Sequence, residues 1–207
     1  MSISLILFDM NDVLCHYDRA ARIAGLAAIA GREPEAIEEA IWASGYEDSA
    51  DIGAMGADDY LRGFGERIGY RLTLGDWVGT LRGSITPLLE AIALAQQVRQ
   101  TVRIAALTNN NFLVAREIAT IFPAVPAIFG SAFNVSAEFG ARKPDPEIYR
   151  RCIARHQVQA AATLFIDDSV ANVAGAEAVG LLAHRHTSMT ALTDLLLHYG
   201  ILPAVRP

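Results

Sequence analysis

Five polar side chains stand directly after three apolar runs, and their types are suited to nucleophilic attack and to binding a cation. They are Asp9 after the run at 3–8, Thr108 and Asn109 after the run at 102–107, and Asp167 and Asp168 after the run at 162–166. A carboxylate at the end of a buried strand costs free energy unless it has a partner or a chemical role. Adjacent carboxylates repel each other unless a cation lies beside them. Oxygen ligands of this kind favour Mg²⁺ over zinc.

Each of these side chains also has a simpler interpretation. Asp and Asn commonly end strands and cap helices, so any one of the three groups alone predicts no more than a cap. The recurrence of acidic and small polar residues after three separate apolar runs is the observation that favours a functional site.

Lys143 is a further candidate because of the sequence that follows it. In PDPEIY, Asp145 is expected to cap a helix and Pro146 to take its first position. A lysine held just before a helix can reach back to the edge of a sheet. Alone it would be a solvated surface lysine, whereas beside Asp9 and a metal it would neutralise a phosphoryl group.

The elements that must position these residues alternate between strands and helices. Apolar runs lie at 3–8, 102–107, 162–166 and 180–184, and helical patterns at 111–121, 146–156, 170–179 and 188–199. None of the runs alternates cleanly with polar residues, which is typical of strands buried on both faces of a parallel sheet. The pattern predicts an α/β fold with a doubly wound parallel sheet, and ligands of such sheets bind beyond the carboxyl ends of the strands.

The segment 16–86 breaks this alternation, since it contains no convincing strand. Helices are expected at 18–31, 34–43, 57–68 and 74–83, and the acidic stretch at 46–51 is expected to be a loop. A crossover between parallel strands needs only about a dozen residues. The sequence therefore predicts a core formed by 1–15 and 87–207, with an inserted helical cap at 16–86.

Composition narrows the classes of partner. The 207 residues are 52% hydrophobic, with a formal net charge of -6 and scattered basic residues, which argues against a nucleic-acid surface. No stretch approaches the roughly 20 apolar residues of a membrane span, and the N-terminus lacks the pattern of a signal peptide. Two cysteines form no disulfide framework. We expect a cytoplasmic protein, and the sequence leaves open whether it is a monomer or a homodimer.

Four segments of the sequence resemble, in order, the four motifs of the haloacid dehalogenase superfamily. They are FDMNDV, LTNNN, ARKPDPEIY and FIDDSVANVAGAEAVG. The chain resembles most closely the helical-cap hydrolases similar to glucose-1-phosphatase and to the phosphatase domain of soluble epoxide hydrolase. The resemblance implies a Rossmann-like core with a helical cap, and Mg²⁺-dependent hydrolysis of a small phosphorylated metabolite, a phosphomonoester such as a sugar phosphate.

The resemblance also implies roles for individual side chains in the reaction. Asp9 matches the nucleophile that forms an aspartyl-phosphate, which water then hydrolyses. Thr108 and the backbone around Asn109 match the groups that bind the transferring phosphoryl oxygens. Lys143 matches the lysine that orients Asp9 and stabilises charge.

A second set of matching positions concerns the metal. Asp9 and the backbone carbonyl of Asn11 match metal ligands, and Asp168 matches the principal acidic ligand. Asp167 matches a second or outer-shell ligand, and Asn172 falls where the family often carries a residue that supports the metal shell.

Position 11 departs from the family pattern. Most phosphatases of the superfamily have a second aspartate here, which protonates the leaving oxygen and then activates water. Such help contributes about 10²–10⁴-fold in rate. Asn11 can donate a hydrogen bond but cannot transfer a proton. Asp12 is expected to be a turn or helix-cap carboxylate, and in extended backbone its side chain would point to the face opposite that of Asn11.

Two other functions are compatible with this departure. A metal-independent 2-haloacid dehalogenase also lacks the second acid, although that branch does not keep the adjacent pair Asp167 and Asp168. A non-catalytic module that binds a phosphorylated ligand is favoured by Asn11. The retention of Asp9 together with Lys143 opposes the binding module.

Overall fold

A computed structural model describes residues 2–203 and contains, within that range, a five-stranded parallel sheet. Its strands are β1 (Leu5–Phe8), β4 (Arg103–Thr108), β5 (Phe133–Val135), β6 (Thr163–Asp167) and β7 (Leu182–Arg185). The spatial order is β5-β4-β1-β6-β7, and each neighbouring pair is parallel. Because β1 lies between β4 and β6, the carboxyl ends of these three strands meet at one edge of the sheet.

Helices cover both faces of the sheet. The core helices are α6 (Leu89–Val98), α7 (Phe112–Ile121), α8 (Ala124–Phe129), α9 (Pro146–His156), α10 (Val170–Glu177) and α11 (Met189–His198). All four residues of β1 are buried, with Ile6 and Phe8 on one face and Leu5 and Leu7 on the other. Burial on both faces explains why the run at 3–8 is apolar without alternation.

A helical segment is inserted between β1 and the rest of the core. It contains α1 (Arg19–Ala30), α2 (Pro34–Glu38), a π-helical turn at Glu39–Ala43, α3 (Tyr46–Asp51), α4 (Ala57–Ile68) and α5 (Leu74–Gly83). Tyr60, Phe64 and Trp77 are fully buried at its centre, with ring centroids 5.7 and 5.9 Å from Tyr60. This segment has an aromatic core of its own, as an inserted cap domain requires.

Two short antiparallel strands join the cap to the core. They are β2 (Cys15–Tyr17) and β3 (Ile85–Pro87), with Cys15 opposite Pro87. The expectation that 16–86 contains no strand is therefore wrong at both of its ends, since three-residue strands leave no readable pattern. The exact cap boundaries at 16 and 86 stay a prediction.

The predicted α/β fold class with an inserted helical cap is confirmed, and the four apolar runs are strands β1, β4, β6 and β7. Elements β5, α6 and α8 were not predicted, because they are a three-residue strand and two helices without clear start signals. The stretch at 46–51 is helix α3 and not a loop. It begins after Gly45, whose φ of 75° permits the tight turn that precedes the helix.

Within residues 2–203, no single helix is long and apolar enough to cross a membrane. The pair Phe112–Ile121 and Ala124–Ala132 passes such a test only together, and it is bent by 96°.

Candidate active site

Asp9 and Lys143 form the centre of the polar edge of the sheet. Lys143 Nζ lies 2.8 Å from Asp9 Oδ1 and 2.6 Å from Asp167 Oδ2, and only 2% of Lys143 is exposed. Burial raises the pKa of Asp9 to about 7, with Lys143 opposing the rise and Asp167 adding to it. Burial lowers the pKa of Lys143, but Asp9 and Asp167 outweigh that effect and leave the pKa raised. The lysine thus remains a cation between two carboxyl groups.

Asn109 fixes the backbone of Lys143. The Asn109 side chain donates from Nδ2 to the Lys143 carbonyl at 2.9 Å, and its Oδ1 accepts from the Lys143 amide at 2.8 Å. On the other side, Gly175 of α10 packs so closely that a Cβ there would overlap the Pro144 carbonyl. The backbone around Lys143 is thus held on one side by Asn109, which follows β4, and on the other side by α10. The amide group of Asn109 is already engaged in these two hydrogen bonds.

Three carboxylates meet beside this pair. One oxygen from each of Asp9, Asp167 and Asp168 lies within 4.8 Å of the others. Asp167 is fully buried and also accepts from the Ser169 amide at 2.9 Å. Asn172 Nδ2 donates to both oxygens of Asp167 at 3.0 Å. Partial burial raises the pKa of Asp168, and the neighbouring charge of Asp167 adds to the rise. This all-oxygen donor set fits Mg²⁺.

Thr108 lies at the end of β4 on the same edge. It is 1% exposed, and its Oγ1 accepts from Asn110 Nδ2 at 2.9 Å, so its hydroxyl proton is free to point toward a ligand. Asn111 caps α7 by accepting from the amides of Leu113 and Val114. The three consecutive asparagines therefore have different roles. Asn109 holds the backbone of Lys143, Asn110 donates to Thr108, and Asn111 caps α7.

The loop after Asp9 adopts a tight turn. Asn11 forms an isolated bridge with Cys15, whose Sγ donates to Asn11 Oδ1 at 3.7 Å. Asp12 has a φ of 55°, so the expectation of extended backbone there is wrong. The Asp12 carboxylate lies 2.9 Å from His16 Nδ1 in an exposed pair. The prediction that Asp12 is a turn carboxylate is confirmed.

A cavity of about 220 Å³ separates this edge from the cap. Asn11 and Asn109 line it from the core, and Arg22, Glu47 and Asp51 line it from the cap. The three cap residues were missed in the sequence. Arg22 falls in a predicted helix, Glu47 and Asp51 fall in the stretch expected to be a loop, and neither setting marks a charged residue as facing the core. A larger hollow of about 520 Å³, bordered by Leu61, Tyr70 and Leu72 on the cap, contains none of the candidate site residues.

Comparison with known proteins agrees with the motifs. Residues 3–180 match the family of haloacid dehalogenase-like hydrolases. The sesquiterpene phosphatase astK of Aspergillus oryzae is 30% identical over 151 residues, which are 69% of this chain and 74% of that protein.

Two solved structures share the fold. A predicted HAD-like family hydrolase from Porphyromonas gingivalis superimposes with a TM-score of 0.79 at 26% identity, over 95% of this chain and 98% of that one. A HAD family enzyme from Bacteroides thetaiotaomicron, in complex with magnesium and inorganic phosphate, gives a TM-score of 0.78 at 21% identity, over 92% and 99%. The resemblance found in the four sequence motifs is confirmed, and the chain belongs to the haloacid dehalogenase-like hydrolases.

Proposed function

We propose that this hydrolase is a Mg²⁺-dependent phosphatase that acts on a small phosphorylated metabolite through an aspartyl-phosphate on Asp9. The observation that carries the proposal is Lys143, buried between Asp9 and Asp167 at the edge of a three-carboxylate cluster. A nucleophilic carboxylate repels a phosphate dianion, and only a site with compensating positive charge overcomes this repulsion.

The residues of the chain divide the work as follows. Asp9 attacks phosphorus and forms the acyl phosphate, which water later hydrolyses at phosphorus. Lys143 orients Asp9 and lowers the negative charge around the phosphoryl group. Thr108 donates a hydrogen bond to a phosphoryl oxygen, and the backbone at Asn109 contributes a second donor. Because these groups are fixed before substrate binds, little reorganisation is needed in the transition state.

The residues present fit a divalent cation. Asp9, Asp168 and the carbonyl of Asn11 would hold it directly, and the ion would neutralise phosphoryl charge. Asp167 already accepts from Lys143, Asn172 and the Ser169 amide, which leaves Asp168 with more free acceptor capacity. We therefore assign the direct contact to Asp168 and an orienting role to Asp167.

The similarity to a sesquiterpene phosphatase supports phosphomonoester hydrolysis. The structure of the Bacteroides thetaiotaomicron enzyme in complex with magnesium and inorganic phosphate is consistent with the Mg²⁺ and phosphoryl group that we propose for this site. The terpenoid substrate class is not carried over. Arginine and carboxylate side chains line the cavity of about 220 Å³ between cap and core, together with apolar side chains such as Trp42, Leu81 and Ile85. The small volume and the charged side chains suit a compact leaving group, such as that of a sugar phosphate, better than a long hydrocarbon chain.

The experiment is a phosphate-release screen over small phosphomonoesters, with and without Mg²⁺. We expect Mg²⁺-dependent turnover that vanishes in Asp9→Asn and rises in Asn11→Asp, because the new carboxyl group supplies proton transfer. Asp194→Asn, on the exposed face of α11, is the matched control and is expected to keep full activity.

Other outcomes of this screen distinguish the alternatives. Turnover that survives Asp9→Asn would refute the nucleophile. Halide release from 2-haloacids without metal would identify a dehalogenase, the alternative that also lacks a second acid at position 11. Tight phosphate binding without turnover would identify the binding module, which Asn11 favours.

A further inference from the structure

Asn11 leaves the proposed reaction without the proton donor that the family usually carries at this position. We propose that Asp51, the last residue of α3 in the cap, is the general acid and base of this enzyme. This inference rests on the phosphatase function proposed above and assigns a catalytic residue that none of the four family motifs contains.

Asp51 lies across one small cavity from the core residues that neighbour Asp9 and Thr108 in the chain. The cavity that Asp51 lines from the cap is lined from the core by Asn11 and Asn109. Asp51 is only 6% exposed, and among residues 2–203 no hydrogen bond or ion pair engages its carboxylate. The Asp51 oxygens therefore still reach the cavity and can accept or donate a hydrogen bond to a ligand there.

The position of Asp51 is tied to the phosphoryl-binding loop by its backbone. The Asp51 carbonyl accepts from Ser136 Oγ at 2.6 Å, and the same hydroxyl oxygen accepts from the Asn110 amide at 2.9 Å. Asn110 in turn donates to Thr108, which is the proposed phosphoryl ligand. Two residues after Asp51, a Cβ on Gly53 would overlap the Ala137 carbonyl. The end of α3 is therefore docked closely on the core.

Among the other charged groups that face Asp51, the two carboxylates already have partners, and the remaining groups are arginines. Glu47, on the same helix, accepts from Tyr60 at 2.6 Å, and Asp48 is paired with Arg142 from the loop before Lys143. Arg22 of α1 is 4% exposed and lines the same cavity, with its Nε and Nη2 unpartnered among the described residues. The Arg22 guanidinium lies over the Trp42 and Trp77 rings and contributes a positive charge to the wall of this cavity.

The protonation state of Asp51 suits this role. Burial raises the pKa of Asp51 well above its usual range, Glu47 and Asp48 add to the rise, and Arg142 and Arg22 oppose it. A general acid must carry its proton when substrate binds, and an acid with a raised pKa does so closer to neutral pH. An ordinary exposed aspartate would already be ionised.

The proton moves in two balanced steps. As Asp9 Oδ bonds to phosphorus, the bond from phosphorus to the leaving oxygen breaks, and that oxygen takes the proton of Asp51 to leave as an alcohol. The Asp51 carboxylate then removes a proton from the water that attacks phosphorus. The bond from phosphorus to Asp9 breaks, inorganic phosphate forms, and both aspartates return to their starting states.

The test compares two esters that differ mainly in the basicity of their leaving group. p-Nitrophenolate departs from p-nitrophenyl phosphate without a proton, whereas the phenolate of phenyl phosphate is more basic and gains from one. We expect Asp51→Asn to lower kcat/KM for phenyl phosphate by about 10²-fold, at the lower end of general-acid effects, and for p-nitrophenyl phosphate by less than about threefold. A carboxyl group at position 11 gives the proton a second route, which adds to that of Asp51 in the single variant Asn11→Asp. The double variant Asn11→Asp with Asp51→Asn is therefore expected to recover the loss.

Two controls keep the test decisive. Asp59→Asn, on the exposed surface of α4, should leave both esters unaffected, and thermal melting should show that each variant folds. If Asp51→Asn does not fold, Asp51→Glu retains an acid and should retain turnover of phenyl phosphate. The alkaline limb of the kcat profile for phenyl phosphate should disappear in Asp51→Asn.

Equal losses for both esters, or no loss, would overturn the assignment of Asp51, as would failure of Asn11→Asp to restore activity. Absence of Asp9-dependent turnover of p-nitrophenyl phosphate by the unmodified protein would instead overturn the phosphatase proposal itself, and the role of Asp51 with it.

Discussion

At the scale of single residues, the balance of buried charge around Lys143 decides both stability and reactivity. Lys143 Nζ is within 2.8 Å of Asp9 and 2.6 Å of Asp167, and all three side chains are buried. Burying three charged side chains costs free energy. Removing one of them costs more, because the remaining charges then lose their partner. The site therefore depends on every member of this triad.

We predict that Lys143→Met lowers the free energy of unfolding by about 3–5 kcal/mol at pH 8 and by less at pH 5. Burial already raises the pKa of Asp9 to about 7, and removing the cation raises it further. The folded protein then holds a proton that the unfolded chain releases, so stability is lost as pH rises from the ordinary carboxyl range through the folded-state pKa. Urea denaturation at both pH values measures the difference.

Arg82→Met is the control for this prediction, since it removes an exposed cation from α5. Its effect should stay within about 0.5 kcal/mol at both pH values. A destabilisation by Lys143→Met that is the same at pH 5 and pH 8 would contradict the role of buried carboxylate charge.

The sequence identified the residues of the core edge but not those of the cap. Asp9, Thr108 and Asp168 follow apolar runs, and parallel strands bring such positions together whatever the loops do. Arg22 and Asp51 have no comparable signal. Their approach to the site depends on how the cap docks on the core, which no local pattern encodes.

At the scale of elements, helix α10 packs against the segment that carries the buried Lys143. Gly175 lies where α10 meets the Pro144 carbonyl, one residue after Lys143, and there is no space for a side chain. The sequence predicted α9 from Asp145 as its cap and Pro146 at its first position, and it predicted α10 from the helical pattern at 170–179. The close contact between the elements was not readable from those signals.

Gly175→Ala should push α10 away from Pro144 and displace Lys143. We expect a loss of about 1–3 kcal/mol of stability, the usual cost of overpacking, together with reduced kcat. Gly79→Ala, in the exposed part of α5 with open space around it, should instead be neutral or gain up to about 1 kcal/mol. Thermal unfolding and phosphate release measure both effects. Unchanged kcat in a folded Gly175→Ala variant would show that α10 does not position the lysine.

At the scale of the whole molecule, we expect the acidic cluster to couple ion binding to folding. We predict that saturating Mg²⁺ stabilises the protein, by about 2.7 kcal/mol at a concentration 100 times its Kd. Because protons and Mg²⁺ compete for Asp9, whose pKa is raised, the stabilisation should be larger at pH 8 than at pH 6. Calorimetric melting with Mg²⁺ or EDTA gives the comparison.

Asp168→Asn should remove most of this Mg²⁺ effect, and Asp194→Asn should keep it. Equal Mg²⁺ stabilisation in Asp168→Asn and the unmodified protein would place the ion elsewhere. A larger effect at pH 6 than at pH 8 would contradict the competition with protons.

Lys143 is the only lysine among the 207 residues, since every other residue of the 17 counted as Lys or Arg is an arginine. Apart from the α-amino group of the chain, its ammonium is the sole primary amine, and it lies beneath the cap with 2% exposure. Amine-directed reagents, which label most proteins at many surface sites, have a single internal target here. The rate at which Lys143 is acylated thus measures how often the cap and the carboxylates around it admit a reagent.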